Sequence, residues 1–200
     1  MAQLYFRYGA MGCGKTMQLL QVAFNYEERG LKVCVIKPAT DTKNGTKLLT
    51  RIGPERETNF CFTRRENLFN KIKKEYSDVA CVLVDESQFL TPKQADQLMQ
   101  VVTKLNIPVV CYGLRLNFRQ ESGGFEGSTR LLQIAHKVEE LKTICTCGRK
   151  ATMNTRWLNG KLVIDGPDIL IDDGTSDIQY RAICPSCFYK TLEDQKNEKQ

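Results

Sequence analysis

Apolar and polar residues alternate along the first 140 positions in two different periods. Four short apolar runs predict strands, at 3–9, 31–38, 78–86 and 107–114. Four stretches with apolar residues at helical spacing predict helices, at 15–30, 66–76, 91–106 and 129–142. Predicted strands and helices alternate along the chain, and the strands are too apolar to leave one face in water. The pattern therefore predicts an α/β fold with a parallel sheet covered by helices.

Local signals mark the boundaries of some of these elements. Thr91 followed by Pro92 predicts the start of the third helix, since threonine is a preferred N-cap and proline is tolerated at the first helical position. The segments 39–59 and 116–128 are polar and rich in turn residues, which predicts loops. Near Leu141 the chain changes to short polar strands, turns and paired cysteines. We therefore expect an α/β domain at 1–140, a small metal-binding domain at 141–190 and a frayed tail at 191–200.

Composition narrows the class of protein. The 200 residues carry a formal net charge of +6 and 26% charged side chains, which is ordinary for a globular protein. The apolar runs are too short to span a bilayer, and the first residues lack the pattern of a signal peptide. From these features we expect a cytoplasmic protein that binds neither membrane nor nucleic acid, although the basic balance leaves nucleic acid open as an alternative partner.

A phosphate-binding motif follows the first predicted strand. The sequence GAMGCGKT satisfies the G-x-x-x-x-G-K-[ST] pattern and leads directly into a helix. Glycines let main-chain N–H groups and the helix N-terminus face an anion, while the lysine reaches the outer phosphates and the threonine hydroxyl binds Mg²⁺. The motif therefore predicts an ATP site with Mg²⁺, formed by Gly9, Ala10, Met11, Gly12, Cys13, Gly14, Lys15 and Thr16.

Two neighbouring acids, Asp85 and Glu86, end the third predicted strand. Adjacent carboxylates repel each other, so their presence indicates a cation or a proton-accepting task. Asp85 suits the Mg²⁺ ion of a P-loop protein, and Glu86 suits a general base that takes the proton of an attacking hydroxyl. Alternation of side chains along a strand predicts that the two point in different directions, and the alternative for Glu86 is a solvent-facing residue at the strand end.

The nine cysteines fall into two groups, of which the first is five cysteines scattered along the chain, Cys13, Cys34, Cys61, Cys81 and Cys111. Three of the scattered cysteines lie in apolar predicted strands and are interpreted as small core residues, namely Cys34, Cys81 and Cys111. The last four form two close pairs, and in a reducing compartment such pairs favour metal over disulfide. A closed tetrahedral set of thiolates is typical of structural Zn²⁺, with reduced, unbound thiols as the alternative; the four are Cys145, Cys147, Cys184 and Cys187.

The order of these motifs resembles one family. GAMGCGKT, the acidic DESQF, the YGLRLNFR segment and the two cysteine pairs are together similar to the cytosolic-type (type II) thymidine kinases, from Gly9 to about Cys187. The resemblance implies a RecA-like P-loop domain, a zinc-binding lasso domain and a homotetramer. It implies transfer of the γ-phosphate of ATP to the 5′-hydroxyl of thymidine in nucleoside salvage, with dTTP as feedback inhibitor. The alternative is a P-loop ATPase switch that acts on nucleic acid.

The resemblance also assigns roles to residues. Glu86 is the implied general base, and Asp41, Lys43, Asp85 and Gln88 join the P-loop in ATP binding. The residues implied to contact thymidine are Met11, Phe89, Leu114, Phe118, Phe125, Ile169, Ile171 and Tyr180. Taken without the motifs, Phe89, Leu114 and Phe118 are more often core residues, and the motif context reverses that interpretation. This chain departs from the family pattern at Lys43, which stands in place of arginine, and at Asp172 and Asp173, which stand near two usual glycines.

Overall fold

The computed structural model describes residues 1–40, 45–50, 52–119, 124–166 and 177–198. The chain divides into two compact units. The first comprises Met1–Tyr8, Gly14–Leu114 and Phe125–Glu140, and the second comprises Gly9–Cys13, Arg115–Gly124 and Leu141–Gln200. Among the described helices, none has the length and apolar character needed to cross a bilayer.

Eleven strands and five α-helices are defined in the described parts of the chain. The strands are β1 (Leu4–Gly9), β2 (Val33–Pro38), β3 (Lys47–Leu49), β4 (Glu55–Glu57), β5 (Phe60–Phe62), β6 (Cys81–Val84), β7 (Val109–Gly113), β8 (Lys137–Leu141), β9 (Met153–Leu158), β10 (Lys161–Val163) and β11 (Ile178–Ile183). The helices are α1 (Lys15–Glu27), α2 (Leu68–Glu75), α3 (Pro92–Leu105), α4 (Glu126–Ile134) and α5 (Pro185–Asn197).

The predicted parallel sheet is confirmed. Six strands lie in the order β5–β2–β6–β7–β1–β8, and the pairs β2–β5, β2–β6, β6–β7 and β1–β7 are all parallel. Every residue of β2, β6 and β7 is buried, as expected for strands covered by helices. Because the strands are parallel, the segments that follow β1, β6 and β7 leave the sheet at one edge. Those segments carry the P-loop, the two acids and Leu114.

The start of α3 agrees with its sequence signals. The hydroxyl of Thr91 accepts a hydrogen bond from the main-chain N–H of Gln94 at 3.1 Å, and the side chain of Gln94 accepts one from the N–H of Thr91 at 3.1 Å. This reciprocal capping box satisfies two N–H groups that a helix start leaves without partners, and Pro92 occupies the first turn.

Two predictions made for the first unit were wrong. The helix expected at 129–142 ends at Ile134, and Lys137–Leu141 instead forms β8 beside β1. There the carboxylate of Glu139 pairs with the guanidinium of Arg7 on β1 at 2.6 Å, a tertiary contact that outweighs local helix preference. Part of the segment expected as a loop at 39–59 is an antiparallel hairpin of β3 and β4.

The second unit has its own sheet and core. Strands β10, β9 and β11 form an antiparallel sheet in that order. A compact apolar cluster consists of Cys145, Ala151, Leu162, Ile183, Cys184 and Phe188. The frayed tail expected at 191–200 is wrong as far as Asn197, because α5 extends to that residue. Phe188 is 1% exposed and Leu192 packs against the cluster, which anchors the helix.

Candidate functional site

The phosphate-binding motif lies between β1 and α1, as its pattern requires. Gly12 and Gly14 have φ angles of 75° and 80°, a left-handed conformation that glycine adopts without steric cost. Gly14 caps α1, which begins at Lys15, and Lys15 itself is only 8% exposed. Ala10 is buried and Cys13 half-buried. The main chain and the helix N-terminus thus provide the setting in which P-loops bind phosphate.

Gly9 is required by close packing within the second unit. A Cβ atom at this position would lie 2.4 Å from the carbonyl oxygen of Leu141 and 2.4 Å from the sulfur of Cys13. Neither approach is sterically tolerable, since real side chains stay well outside 3.0 Å. The first residue of the motif is therefore a glycine because the main chain of Leu141 passes directly against it.

Thr16 and Asp85, the two predicted Mg²⁺ ligands, are in contact. The Thr16 hydroxyl donates a hydrogen bond to a carboxylate oxygen of Asp85 at 3.0 Å. Asp85 is 2% exposed. Burial raises the pKa of Asp85 to about 7, the charge of Glu86 acts in the same direction, and the Thr16 hydroxyl and Lys15 oppose them. A buried carboxylate with this cost of ionisation is stabilised when a cation binds beside it.

Glu86 lies at a sharp turn that ends the strand. Since β6 ends at Val84, the alternation expected from an extended strand does not set its direction. Glu86 has a φ of 48°, which is unusual for a residue other than glycine, and it begins a 3₁₀ turn at Ser87–Phe89. Its N–H donates to Asp85 at 3.0 Å. Such strained conformations recur at functional sites.

Gln88 connects the acidic turn to the end of β7. Its side-chain nitrogen donates to the carboxylate of Glu86, and its side-chain oxygen accepts from the N–H of Leu114 at 3.1 Å. Gln88 is 3% exposed. A Cβ on Gly113 would lie 2.5 Å from the hydroxyl oxygen of Ser87, so only glycine allows β7 to pass so close to the turn. On its other side, Leu114 accepts at its carbonyl from the hydroxyl of Ser128.

The apolar residues implied to contact thymidine include an aromatic pair in the first unit. The rings of Phe89 and Phe125 pack edge to face, with centroids 5.7 Å apart. Phe89 also borders a small cavity of about 210 Å³, whose other walls are Pro38, Ala39, Thr40, Phe62, Thr63 and Arg64. Phe89 and Leu114 are half-buried rather than enclosed in the core, so both retain surface for a ligand.

In the second unit, Met11 and Phe118 are held by two side chains of β9 that the sequence did not single out. The N–H of Met11 donates to the side chain of Asn154 at 2.8 Å, and the guanidinium of Arg156 lies 3.9 Å from the centre of the Phe118 ring. Tyr180, on β11, is half-buried and pairs in register with Arg156. The stretch at 153–158 has three consecutive polar residues, which gives no sequence signal that Asn154 and Arg156 are buried or which residues they contact.

Four predicted site residues lie outside the described ranges, namely Asp41, Lys43, Ile169 and Ile171. The same holds for Asp172 and Asp173.

The four paired cysteines come together in the second unit. The sulfur atoms of Cys145, Cys147, Cys184 and Cys187 all lie within 4.8 Å of one another. The sulfurs of Cys147 and Cys184 are 3.6 Å apart, close to the spacing of about 3.8 Å set by a tetrahedron of Zn–S bonds near 2.3 Å. Although burial opposes ionisation of Cys145, N–H groups of Cys147 and Cys184 lower its pKa to about 6. This donor set fits Zn²⁺.

Comparisons with known proteins identify the family of the chain. The family model described as "Thymidine kinase" matches residues 2–188. A thymidine kinase of Chromobacterium violaceum is 46% identical over 191 residues, covering 94% of this chain and 99% of that protein. A thymidine kinase of Photobacterium profundum is 44% identical, covering 96% of this chain and 99% of that protein. A solved DNA replication initiation factor matches 70% of this chain and 40% of its own, at a TM-score of 0.40 and 18% identity, too weak a likeness to support any argument. By the family model and these full-length relatives, the chain belongs to the thymidine kinase family.

Proposed function

We infer that this protein is an ATP-dependent thymidine kinase, which transfers the γ-phosphate of ATP to the 5′-hydroxyl of thymidine and forms dTMP for nucleoside salvage. The observation that carries this inference is the contact of Thr16 with Asp85, one residue before Glu86, in a chain that belongs to the family along nearly its whole length. A phosphate-binding threonine, a metal-binding acid and a second carboxylate in this order suit phosphoryl transfer to a hydroxyl.

The proposed reaction divides its work among a few side chains. Gly9–Thr16 bind the phosphates of ATP, with Lys15 neutralising their outer oxygens. Bound at Thr16 and Asp85, Mg²⁺ would shield the charge that develops on the transferred group. Glu86 accepts the proton of the 5′-hydroxyl while the 5′-oxygen forms its bond to the γ-phosphorus and the bond from that phosphorus to ADP breaks. Gln88, also assigned to the ATP site, hydrogen-bonds Glu86 and is suited to orient it.

We assign the nucleoside to the residues that the family resemblance implies. Met11, Phe89, Leu114, Phe118 and Phe125 offer apolar surface to a flat base that carries a methyl group. The lasso segment that the resemblance implies is proposed to contact the nucleoside as well, through Ile169, Ile171 and Tyr180. A loop of this kind excludes water by closing over the substrate.

The four cysteines are proposed to bind one structural Zn²⁺. Four thiolates leave no open coordination position, so the ion has no place in the reaction and instead stabilises the small domain at 141–190. The α/β domain at 1–140 is proposed to carry the nucleotide chemistry. As a family member the protein is further proposed to be a cytoplasmic homotetramer inhibited by dTTP, with no nucleic acid or membrane partner.

Label transfer tests the proposed function. Purified protein is incubated with γ-labelled ATP, Mg²⁺ and one nucleoside at a time: thymidine, deoxyuridine, deoxycytidine, deoxyadenosine or deoxyguanosine. Label in dTMP, lost in the Glu86→Gln variant, supports a thymidine kinase with Glu86 as base. Label in free phosphate alone, released faster when single-stranded DNA is added, would support the ATPase switch and overturn the kinase assignment.

A further inference from the structure

One face of β9 carries two buried polar side chains. Asn154 and Arg156 are 4% and 1% exposed, and they lie two residues apart, so they project from the same side of the strand. Their neighbours Met153 and Trp157 pack against the apolar cluster around Cys145 and Phe188. The strand therefore uses one face for the core of its own unit and leaves the other for polar contacts.

The side-chain amide of Asn154 forms two hydrogen bonds, each with a main-chain atom of a different segment. Its oxygen accepts from the N–H of Met11 at 2.8 Å, and its nitrogen donates to the carbonyl of Leu116 at 2.6 Å. These partners lie 143 and 38 residues away along the chain. A single amide has one acceptor and one donor group, which is what joining an N–H to a carbonyl requires. Asn154 thus ties the P-loop to the segment after β7.

Arg156 holds the same segment by a second contact. Its guanidinium lies 3.9 Å from the centre of the Phe118 ring, while its Nη2 donates to the carbonyl of Asp165 at 2.7 Å. A cation over an aromatic face interacts more strongly when both are shielded from water. A Cβ on Gly166 would lie 2.7 Å from the Arg156 Nη2, so the glycine leaves room for the guanidinium.

We propose that Asn154 and Arg156 are positioning residues for nucleoside binding, which fix the main chain at Met11 and Leu116 and the ring of Phe118. The proposal rests on the proposed function, because that function assigns Met11 and Phe118 to thymidine. Arg156 acts through Phe118, and the Met11 N–H that Asn154 accepts from is bonded to that amide rather than left to bind phosphate. Loss of either side chain is therefore expected to weaken thymidine binding more than ATP binding. A purely structural role would instead lower stability and leave the ratio of the two KM values unchanged.

Steady-state kinetics of matched variants test this inference. Asn154→Leu keeps the size of the side chain and removes both hydrogen bonds, each of which contributes about two- to tenfold to an equilibrium constant. We expect the KM for thymidine to rise about tenfold or more and the KM for ATP to change less than threefold. Arg156→Lys keeps the charge without the planar face and is expected to raise the thymidine KM about threefold to tenfold.

Thr155→Val is the matched control, because Thr155 is a fully buried neighbour whose hydroxyl bonds to Arg181 within the sheet. It is expected to lower the melting temperature without changing the ratio of KM values. An Asn154→Leu variant that melts like the control and keeps the wild-type thymidine KM would overturn the proposal. So would a Thr155→Val variant with the same KM change as Asn154→Leu.

Two further measurements separate failure of the proposal from other failures. If Asn154→Leu does not fold, Arg156→Lys and Asn154→Asp take its place; the aspartate keeps the acceptor for the Met11 N–H and loses the donor to Leu116. Equilibrium binding of thymidine to these folded variants must then weaken, and unchanged binding contradicts the proposal. The kinetic series begins with the wild-type protein. If the wild type phosphorylates no nucleoside, the proposed function itself is overturned, and this outcome is distinct from failure of the positioning proposal.

Discussion

The side chain of Gln88 hydrogen-bonds the carboxylate of Glu86, two residues before it, and so fixes the direction of the proposed base. The same amide accepts from the N–H of Leu114, at the start of the segment assigned to the nucleoside. One buried glutamine therefore sets the position of a proton acceptor relative to the main chain that borders the acceptor substrate.

Replacing Gln88 with methionine removes both hydrogen bonds at nearly constant volume. We expect kcat to fall about tenfold to a hundredfold, since misplacement of a catalytic group by about 1 Å costs on this order. The KM for ATP is expected to rise by a smaller factor than kcat falls, because the P-loop keeps its own contacts with the phosphates. Gln97→Met is the control, because Gln97 is also buried and also accepts from a main-chain N–H, that of Leu68, away from the acids. Equal losses of kcat in both variants would contradict a positioning role for Gln88.

Asp85→Asn is expected to stabilise the metal-free protein while abolishing activity. Burial raises the pKa of Asp85 to about 7, so its ionised form destabilises the folded chain and the neutral asparagine does not. Below pH 4 the carboxyl is neutral in both folded and unfolded chains. Between pH 4 and 7 the unfolded chain loses its proton first, so the wild type loses stability as the pH rises, and above pH 7 the difference stays constant.

Urea unfolding with a chelator present, at pH 4, 5.5, 7 and 8, measures this effect. The advantage of Asp85→Asn over the wild type is expected to grow from pH 4 to pH 7 and then level off. Added Mg²⁺ and ATP are expected to narrow the gap, because only the carboxylate offers a charged metal ligand. If the stability advantage of Asp85→Asn shrinks with rising pH, ionisation of the buried carboxyl is not what lowers the stability of the wild type.

Thiol reagents should distinguish the nine cysteines by burial and pKa. Burial raises the pKa of Cys34 and Cys81 to about 12 and raises that of Cys111 as well, so these thiols stay protonated and unreactive in the folded chain. In zinc-loaded protein we expect reaction at Cys13 and Cys61, both half-buried, and slower labelling of Cys13 when ATP is bound. Peptide mapping after brief labelling identifies the sites. Early labelling of Cys34 or Cys111 would contradict this order.

Removal of zinc should be visible in the fluorescence of Trp157. Trp157 is the one tryptophan of the sequence, and it packs against the apolar cluster that contains Cys145 and Cys184. We expect Cys147→Ser to lower the bound zinc well below one ion per chain and to shift the tryptophan emission to longer wavelength. Cys61→Ser, outside the cluster, serves as control. Emission unchanged after complete loss of zinc would show that the metal does not support this core.

Where the signal is local, the structure agrees with the sequence. The placement of GAMGCGKT between a strand and a helix, and the capping of α3, each depend on residues within about eight positions of one another, so a short stretch of sequence suffices. The roles of the P-loop and of the two acids stay predictions. The cysteine pairs are distant from each other, yet cysteines at short spacing have few other uses in a reducing compartment. The fold class followed from the alternation of periods, which the parallel sheet confirms.

Two of the misses share a different cause, because each depends on a partner far along the chain. Lys137–Leu141 has the composition of a helix and becomes a strand through its pairing with β1, where Arg7 meets Glu139 across 132 residues. In the sequence, Asn154 and Arg156 are ordinary polar residues of a strand. Their role becomes visible only through their contacts in the structure, which are with Met11, Leu116 and Phe118. Spacing within the sequence contains no information about such pairings.

The position of β7 limits how this enzyme can change its choice of substrate. β7 lies between β6, which leads to the acids, and β1, which leads to the P-loop. Strands in a sheet are about 4.8 Å apart, and a Cβ on Gly113 would lie 2.5 Å from the hydroxyl oxygen of Ser87, so the end of β7 has no room for an added side chain. New acceptor preferences are therefore expected to evolve by replacement of side chains beyond Gly113, while the main chain at the end of β7 stays as it is.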